Sequence, residues 1–248
     1  MNSTNLNSPT SLKLVVAPAS DHPGGVDLDG LVSHLQDKMD LPIQLHRCAN
    51  YEEAMAALAD GSAQLGWLGP IAFKESSSRG SGASEAFAVG VPEGKSNPNY
   101  RSIFIVRPES KIQHLSDVRN SIIALSDSHS ASGYYVPSRE LADVGIDILN
   151  EGAFKKIIRV NNHDEAIRAV LEGRVDSAPV SSVNLVGMIA SGAIEAKKFR
   201  VIHQSPDIQG APLVFATNLN SALKDKIKRL VLDAHNHINV GGYGGRME

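Results

Sequence analysis

Short apolar runs rich in β-branched residues alternate along this chain with segments whose apolar residues recur at helical spacing, and that alternation constrains the fold most. Residues 12–17 (LKLVVA) form an apolar run closed by Pro18, the pattern of a buried strand. After a loop at residues 20–25, Leu28, Leu31, Val32 and Leu35 mark one helix face. Residues 41–46 alternate as a second strand. Asn50 is placed to cap a helix through Ala59, Gly61 ends it, and residues 64–68 read as a third strand entering Gly69-Pro70. Strands joined by such helices pair in parallel through right-handed crossovers.

The Ser/Gly-rich stretch 76–84 reads as a mobile loop, and residues 87–91 and 102–106 (SIFIV) as strands. A second series follows. It has a short helix from Leu115, a strand at 121–125, a turn at 126–132 and a helix over 134–142. A strand at 157–160, a helix over 164–171 and a strand at 175–180 complete it. Strands at 199–203 and 213–216 and an amphipathic helix over 221–235 close the pattern, with Leu223, Ile227, Leu230, Val231 and Ala234 on one face. The grammar appears twice and returns to the first unit near the end. It predicts two lobes, residues 12–104 plus 206–240 and residues 105–205, joined by crossings near 103–108 and 204–213. Residues 1–11 and 241–248 read as disordered. Ligands of such an arrangement sit between the lobes.

Composition narrows the function classes. A net charge of −3 over 248 residues gives no basic field for nucleic acid, and 5% aromatic residues do not make a base-stacking platform. The one cysteine, Cys48, excludes an internal disulfide and any multi-cysteine metal site. No phosphate loop, dinucleotide fingerprint or HExxH motif occurs, so neither a cofactor nor a metal is expected. The polar start MNSTNLNSPTS does not read as a secretory signal, which leaves a trimmed exported protein or a cytoplasmic one.

The segment most suited to chemistry is 126–137 (SDSHSASGYYVP), where small polar residues lie between a strand end and a helix start. Unsatisfied amides and the helix dipole suit an anion there. Ser128, His129, Ser130, Ala131, Ser132 and Gly133 are its candidates, Gly133 for close approach; plain N-capping is the alternative. Trp67 in GWLGP lines a pocket mouth or packs against the sheet. Tyr51 and Tyr100 stand at element boundaries, where a phenol can reach a ligand or simply pack. His163 starts a helix and is either an anion donor or an incidental member of the cap.

Taken together, residues 50–70, 99–110, 115–137, 162–182 and 205–215 resemble one family, the PhnD-type phosphonate/phosphite substrate-binding proteins of ABC importers. The resemblance covers residues 12–235 in unbroken order. It implies an α/β, two-lobed type II periplasmic-binding-protein-like clamshell with two hinge crossings. The family's Ser-Thr-Ser turn falls on Ser130, Ala131 and Ser132, its tyrosines on Tyr51 and Tyr100, and its histidine on His163. Ser181 and Asn184, after the small-residue strand, complete the implied ligand set. Members that bind aminoalkyl phosphonates hold the ammonium with carboxylates, where this chain has Val183 or Asn184, and Ala211. The expected ligand is therefore a small oxyanion without a cationic arm, because a buried unpaired ammonium is costly. The resemblance implies a monomeric receptor, without turnover, that docks on an ABC permease. Two rivals stand beside it: a cytosolic enzyme using His129 or His163 as acid/base on a small acid, and a metabolite sensor.

Overall fold

The computed structural model describes residues 9–18, 28–80, 84–240 and 245–248. These form two compact units. The first holds the described residues up to Pro18, those from 28 to Pro98 and those from Gly210 onward, and the second holds Asn99–Gln209.

The first unit opens with β1 (Leu12–Val16), α1 (Asp29–Met39), β2 (Ile43–Arg47), α2 (Tyr51–Ala59) and β3 (Leu65–Trp67). As the sequence suggested, Asn50 caps α2, its side chain accepting the Glu53 amide at 2.8 Å. An unexpected helix, α3 (Pro70–Ser77), follows, and then β4 (Ser84–Val91). Gly69 is the N-cap of α3, and Pro70 supplies the preset φ of a first helical position. Part of the predicted loop over 76–84 is thus ordered, and residues 81–83 lie outside the described residues.

The second unit contains β5 (Ser102–Val106), β6 (Ile122–Leu125), α4 (Val136–Asp143), β7 (Lys156–Arg159), α5 (His163–Leu171), β8 (Ser177–Ser181), α6 (Ser182–Ala190) and β9 (Arg200–Gln204). A five-residue π-turn, Ala131–Tyr135, leads into α4. The helix α6 was missed because SVNLVGMIA is apolar nearly all round and shows no stripe. The sheet order is β7-β6-β8-β5-β9; β6 runs parallel to β7 and β8, and β5 antiparallel to β8 and β9. On β5, Ile103 and Ile105 enter the core with Val160, Ile167 and Val180, while Phe104 enters another with Leu125, Leu141 and Phe154. A strand covered on both faces needs a continuous apolar run, which is why SIFIV does not alternate.

The chain returns to the first unit with β10 (Pro212–Ala216), α7 (Ser221–Asp233) and β11 (Arg246–Met247). The first sheet has the order β11-β4-β10-β3-β1-β2. Its β1 is parallel to β2 and β3, whereas β10 is antiparallel to β3 and β4, and β11 to β4. Parallel pairing therefore holds within each βαβ series and not for the returning strands.

Two expectations are corrected. Because β5 lies wholly in the second sheet, the first crossing precedes it, between Pro98 and Asn99 rather than within 103–108. The return falls between Gln209 and Gly210, inside the expected 204–213, and the lobe limits drawn at 104/105 and 205/206 move to 98/99 and 209/210. The C-terminus is not wholly disordered either, since Arg246 and Met247 pair with Val91 and Gly90. The two connecting stretches pair with each other: the Tyr100 amide donates to the Ile208 carbonyl at 2.9 Å, and the Ile208 amide to the Tyr100 carbonyl at 2.7 Å. Among the described residues no helix is long and apolar enough to cross a membrane.

Candidate functional site

Three parallel strands of the second sheet, β6, β7 and β8, deliver three helix starts to one edge. Each start is capped. Ser130 Oγ accepts the Gly133 amide at 3.1 Å, Asn162 Oδ1 accepts the Glu165 amide at 2.9 Å, and Ser181 Oγ accepts the Asn184 amide at 3.5 Å. Ligands of α/β sheets bind beyond such strand ends, where helix dipoles present their positive ends.

The predicted turn is tightly folded. Ser126 N–H donates to the Gly133 carbonyl at 3.1 Å, and Ser130 N–H to the Asp127 carbonyl at 2.9 Å. Gly133 is needed here for a reason other than ligand approach. A Cβ at this position would lie 2.6 Å from Ser126 Cβ and 2.9 Å from Ser130 Oγ, and nearer still to Ser126 Oγ. Ser126 Oγ is itself buried and has no hydrogen-bond partner among the described residues. Ala131 and Ser132 occupy the first two positions of the π-turn, where an amide has no acceptor inside its own helix.

One imidazole ties these helix starts together. His163 Nδ1 accepts the Ser181 amide at 3.3 Å, so its hydrogen sits on Nε2, which lies 3.2 Å from Ser132 Oγ. Burial pushes the His163 pKa down to about 4, and the accepting Nδ1 also requires the neutral ring. Ser132 Oγ thus receives a hydrogen from the histidine, which frees its own hydrogen for another acceptor. The Ser132 carbonyl in turn accepts the Ser102 hydroxyl at 2.7 Å, and Ser205 Oγ accepts the Ser102 amide at 3.0 Å. In this tautomer Nε2 carries the hydrogen that faces Ser132, so His163 cannot take the proton of that hydroxyl.

Charge around the turn is mixed. Arg159 donates to the Ser126 carbonyl at 3.3 Å and lies 4.8 Å over the Tyr134 ring. His129 Nδ1 is 2.8 Å from Asp127 Oδ1, which also accepts the His129 amide at 2.8 Å. The buried carboxylate of Asp164, on the first turn of α5, accepts from Asn184 Nδ2 at 3.5 Å. Sequence reading passed over Ser102, Asp127 and Arg159, and set Asp164 aside because adjacent His and Asp on a helix do not usually face each other. For Asp127 and Arg159 the signal was available, since each stands within two residues of a strand end beside the turn.

The structure thus brings Ser130, Ala131, Ser132, Gly133, His163, Ser181 and Asn184 together. Ser128 is exposed on the same turn, and Tyr100 belongs to the connecting pair. Two candidates belong to the first unit. Tyr51 packs with Val15, Cys48 and Met55, and Trp67 is buried in β3 with Nε1 donating to the Ala211 carbonyl at 3.1 Å.

Comparison with known proteins gives this geometry a context. A family model described as "ABC transporter, phosphonate, periplasmic substrate-binding protein" matches residues 15–240. The phosphonates-binding periplasmic protein of Escherichia coli (strain K12) is 26% identical over 197 residues, covering 78% of this chain and 56% of that protein. This chain therefore spans little more than half the length of that relative. A binding protein component of an ABC phosphonate transporter from Pseudomonas aeruginosa has a TM-score of 0.85 at 20% identity, over 97% of this chain and 82% of that one. PhnD1 from Prochlorococcus marinus (MIT 9301), in complex with methylphosphonate, has a TM-score of 0.74 at 16% identity, over 91% and 85% of the two chains. At these identities the two solved structures show the fold alone, the two-lobed α/β periplasmic-binding-protein fold that the resemblance implied.

Proposed function

The chain belongs to the family of periplasmic substrate-binding proteins of phosphonate ABC transporters, and from that membership we propose that it is a receptor for a small phosphorus oxyanion. The anion is a phosphonate, phosphite or phosphate-like group, held by the Ala131 and Ser132 amides and the Ser132 hydroxyl. Its delivery to a membrane permease outside the cytoplasm belongs to the same reading. The observation that supports it is the His163 link. A neutral, doubly engaged imidazole orients Ser132 as a donor where three helix starts meet. Oriented donors at a helix start suit an ionised oxyanion.

The ligand carries no ammonium arm. Val183, Asn184 and Ala211 supply no carboxylate where aminoalkyl-phosphonate receptors have one, and a buried ammonium needs a partner. A thermal-shift and calorimetry panel of phosphite, methylphosphonate, phosphate and 2-aminoethylphosphonate tests both statements. A ligand present at 100 times its Kd stabilises the fold by ~2.7 kcal/mol. No response to any phosphorus oxyanion would overturn the receptor reading, and preference for the amine would overturn the second.

His129 favours a different reading. A histidine backed by a carboxylate beside a serine turn also has the form of a general base. Phosphorus NMR of ligand incubated with the protein decides between them, because a receptor returns its ligand unchanged.

A further inference from the structure

A second group of ligating side chains lies in the first unit, remote in sequence from the anion turn and independent of the receptor reading. A ring nitrogen of His46, Cys48 Sγ and a carboxylate oxygen of Glu53 all lie within 4.8 Å of one another. His46, next to last in β2, pairs with Val15, and the Cys48 amide extends the ladder by donating to the Val16 carbonyl at 3.0 Å. Residues two apart on extended chain point to the same face. Cys48 packs there with Tyr51, Ala54 and Met55 of α2, and the first turn of α2 brings Glu53 over the same spot.

We propose that His46, Cys48 and Glu53 form a zinc site, with water as the fourth ligand. One imidazole, one thiolate and one carboxylate are the donor set of a borderline divalent ion, whereas calcium and magnesium take oxygen alone. Tetrahedral zinc ligands stand roughly 3.3–3.8 Å apart at ordinary bond lengths. His46 Nε2 and Glu53 Oε1, now 2.7 Å apart, open to admit the ion, and their side chains have the freedom to do so at 43% and 40% exposure. The carboxylate is already oriented, since Glu53 Oε2 accepts the Ala49 amide at 2.7 Å. On binding, the His46 hydrogen moves from Nε2 to Nδ1 through solvent, and the Cys48 thiol gives its proton to solvent. One proton is released per ion, and nothing is oxidised.

The spacing H-x-C-x4-E matches no familiar zinc motif, so the sequence reading, which expected no metal, had nothing to find. The test is titration of the full chain with Co²⁺ as a spectroscopic stand-in, followed by displacement with Zn²⁺. Expected are the intense visible bands of tetrahedral cobalt and a thiolate-to-cobalt charge-transfer band, both removed by one equivalent of Zn²⁺. Cys48→Ser should abolish the charge-transfer band, and His46→Gln, at a half-buried position, should weaken binding at least tenfold. Weak octahedral bands only, or a charge-transfer band surviving in Cys48→Ser, would overturn the proposal. Anion binding by the same variants is expected to be unchanged, which keeps this result separate from the receptor test.

Discussion

His163 Nε2 stands 3.2 Å from Ser132 Oγ, and because Nδ1 already accepts the Ser181 amide, the hydrogen between the two side chains belongs to the histidine. Ser132 is thereby turned into a donor toward whatever occupies the turn. The arrangement holds only while the ring is neutral.

Acid should therefore loosen the second unit. The folded-state pKa of His163 is about 4, below the ordinary 6.5. Between those values the unfolded chain takes up a proton that the folded one refuses. Stability is full above pH 6.5 and falls as pH drops towards 4, by up to ~3 kcal/mol. Urea unfolding at pH 7 and pH 4.5 measures the fall. His163→Gln should show a smaller difference between the two pH values, and an identical difference in both proteins would refute the assignment.

Removing the oriented hydroxyl tests its role directly. Ser132→Ala should weaken anion binding by about 1.5–3 kcal/mol, the range for a hydrogen bond to a charged group. The fold should lose about 1–3 kcal/mol as well, because the buried His163 Nε2–H is left without its acceptor, while the Ser102 bond to the Ser132 backbone carbonyl is kept. Calorimetry with the best ligand of the panel is the check, and unchanged affinity would remove Ser132 from the site.

Gly133→Ala should damage the turn, because the new methyl would meet Ser126 and Ser130 at sub-contact distances. Overpacking of this kind costs ~1–3 kcal/mol. Pairing it with Ser126→Gly removes the obstructing side chain and should recover part of the loss in a thermal melt.

Asn162→Ala removes the cap of α5, whose side chain holds the Glu165 amide. A loss of about 1 kcal/mol is expected from denaturant titration. A larger drop in anion affinity than in stability would show that the cap also positions His163.

Much of this was legible in the sequence, for definite reasons. Runs such as LKLVV and SIFIV cannot be solvated, and Asn50 caps its helix through a purely local bond. The anion turn was legible because strand end, small residues and helix start follow one another along the chain. What failed depended on distant partners. Arg246 finds Val91 across the sequence, and Ser102 reaches the turn only through pairing of β5 with β8. Tyr51 and Trp67 are buried in the first unit, and an aromatic side chain at a strand or helix boundary has the same sequence pattern whether it faces a ligand or a core. The His46, Cys48 and Glu53 group needs both a sheet edge and a crossing helix to assemble.

The position of β10 between β3 and β4 sets a timetable for biosynthesis. On the ribosome, β3 and β4 emerge first, and each presents an open backbone edge until Pro212–Ala216 is made. The second unit is complete in sequence before that strand appears, so it can fold while its neighbour still waits for a missing stave. Two bare edges on a half-built sheet invite pairing with the wrong chain. Premature truncation after the second unit ends at Gln209 but before β10 is made should therefore yield a soluble second unit attached to an aggregation-prone remnant, which places the greatest demand for chaperone protection on the oldest part of the nascent polypeptide.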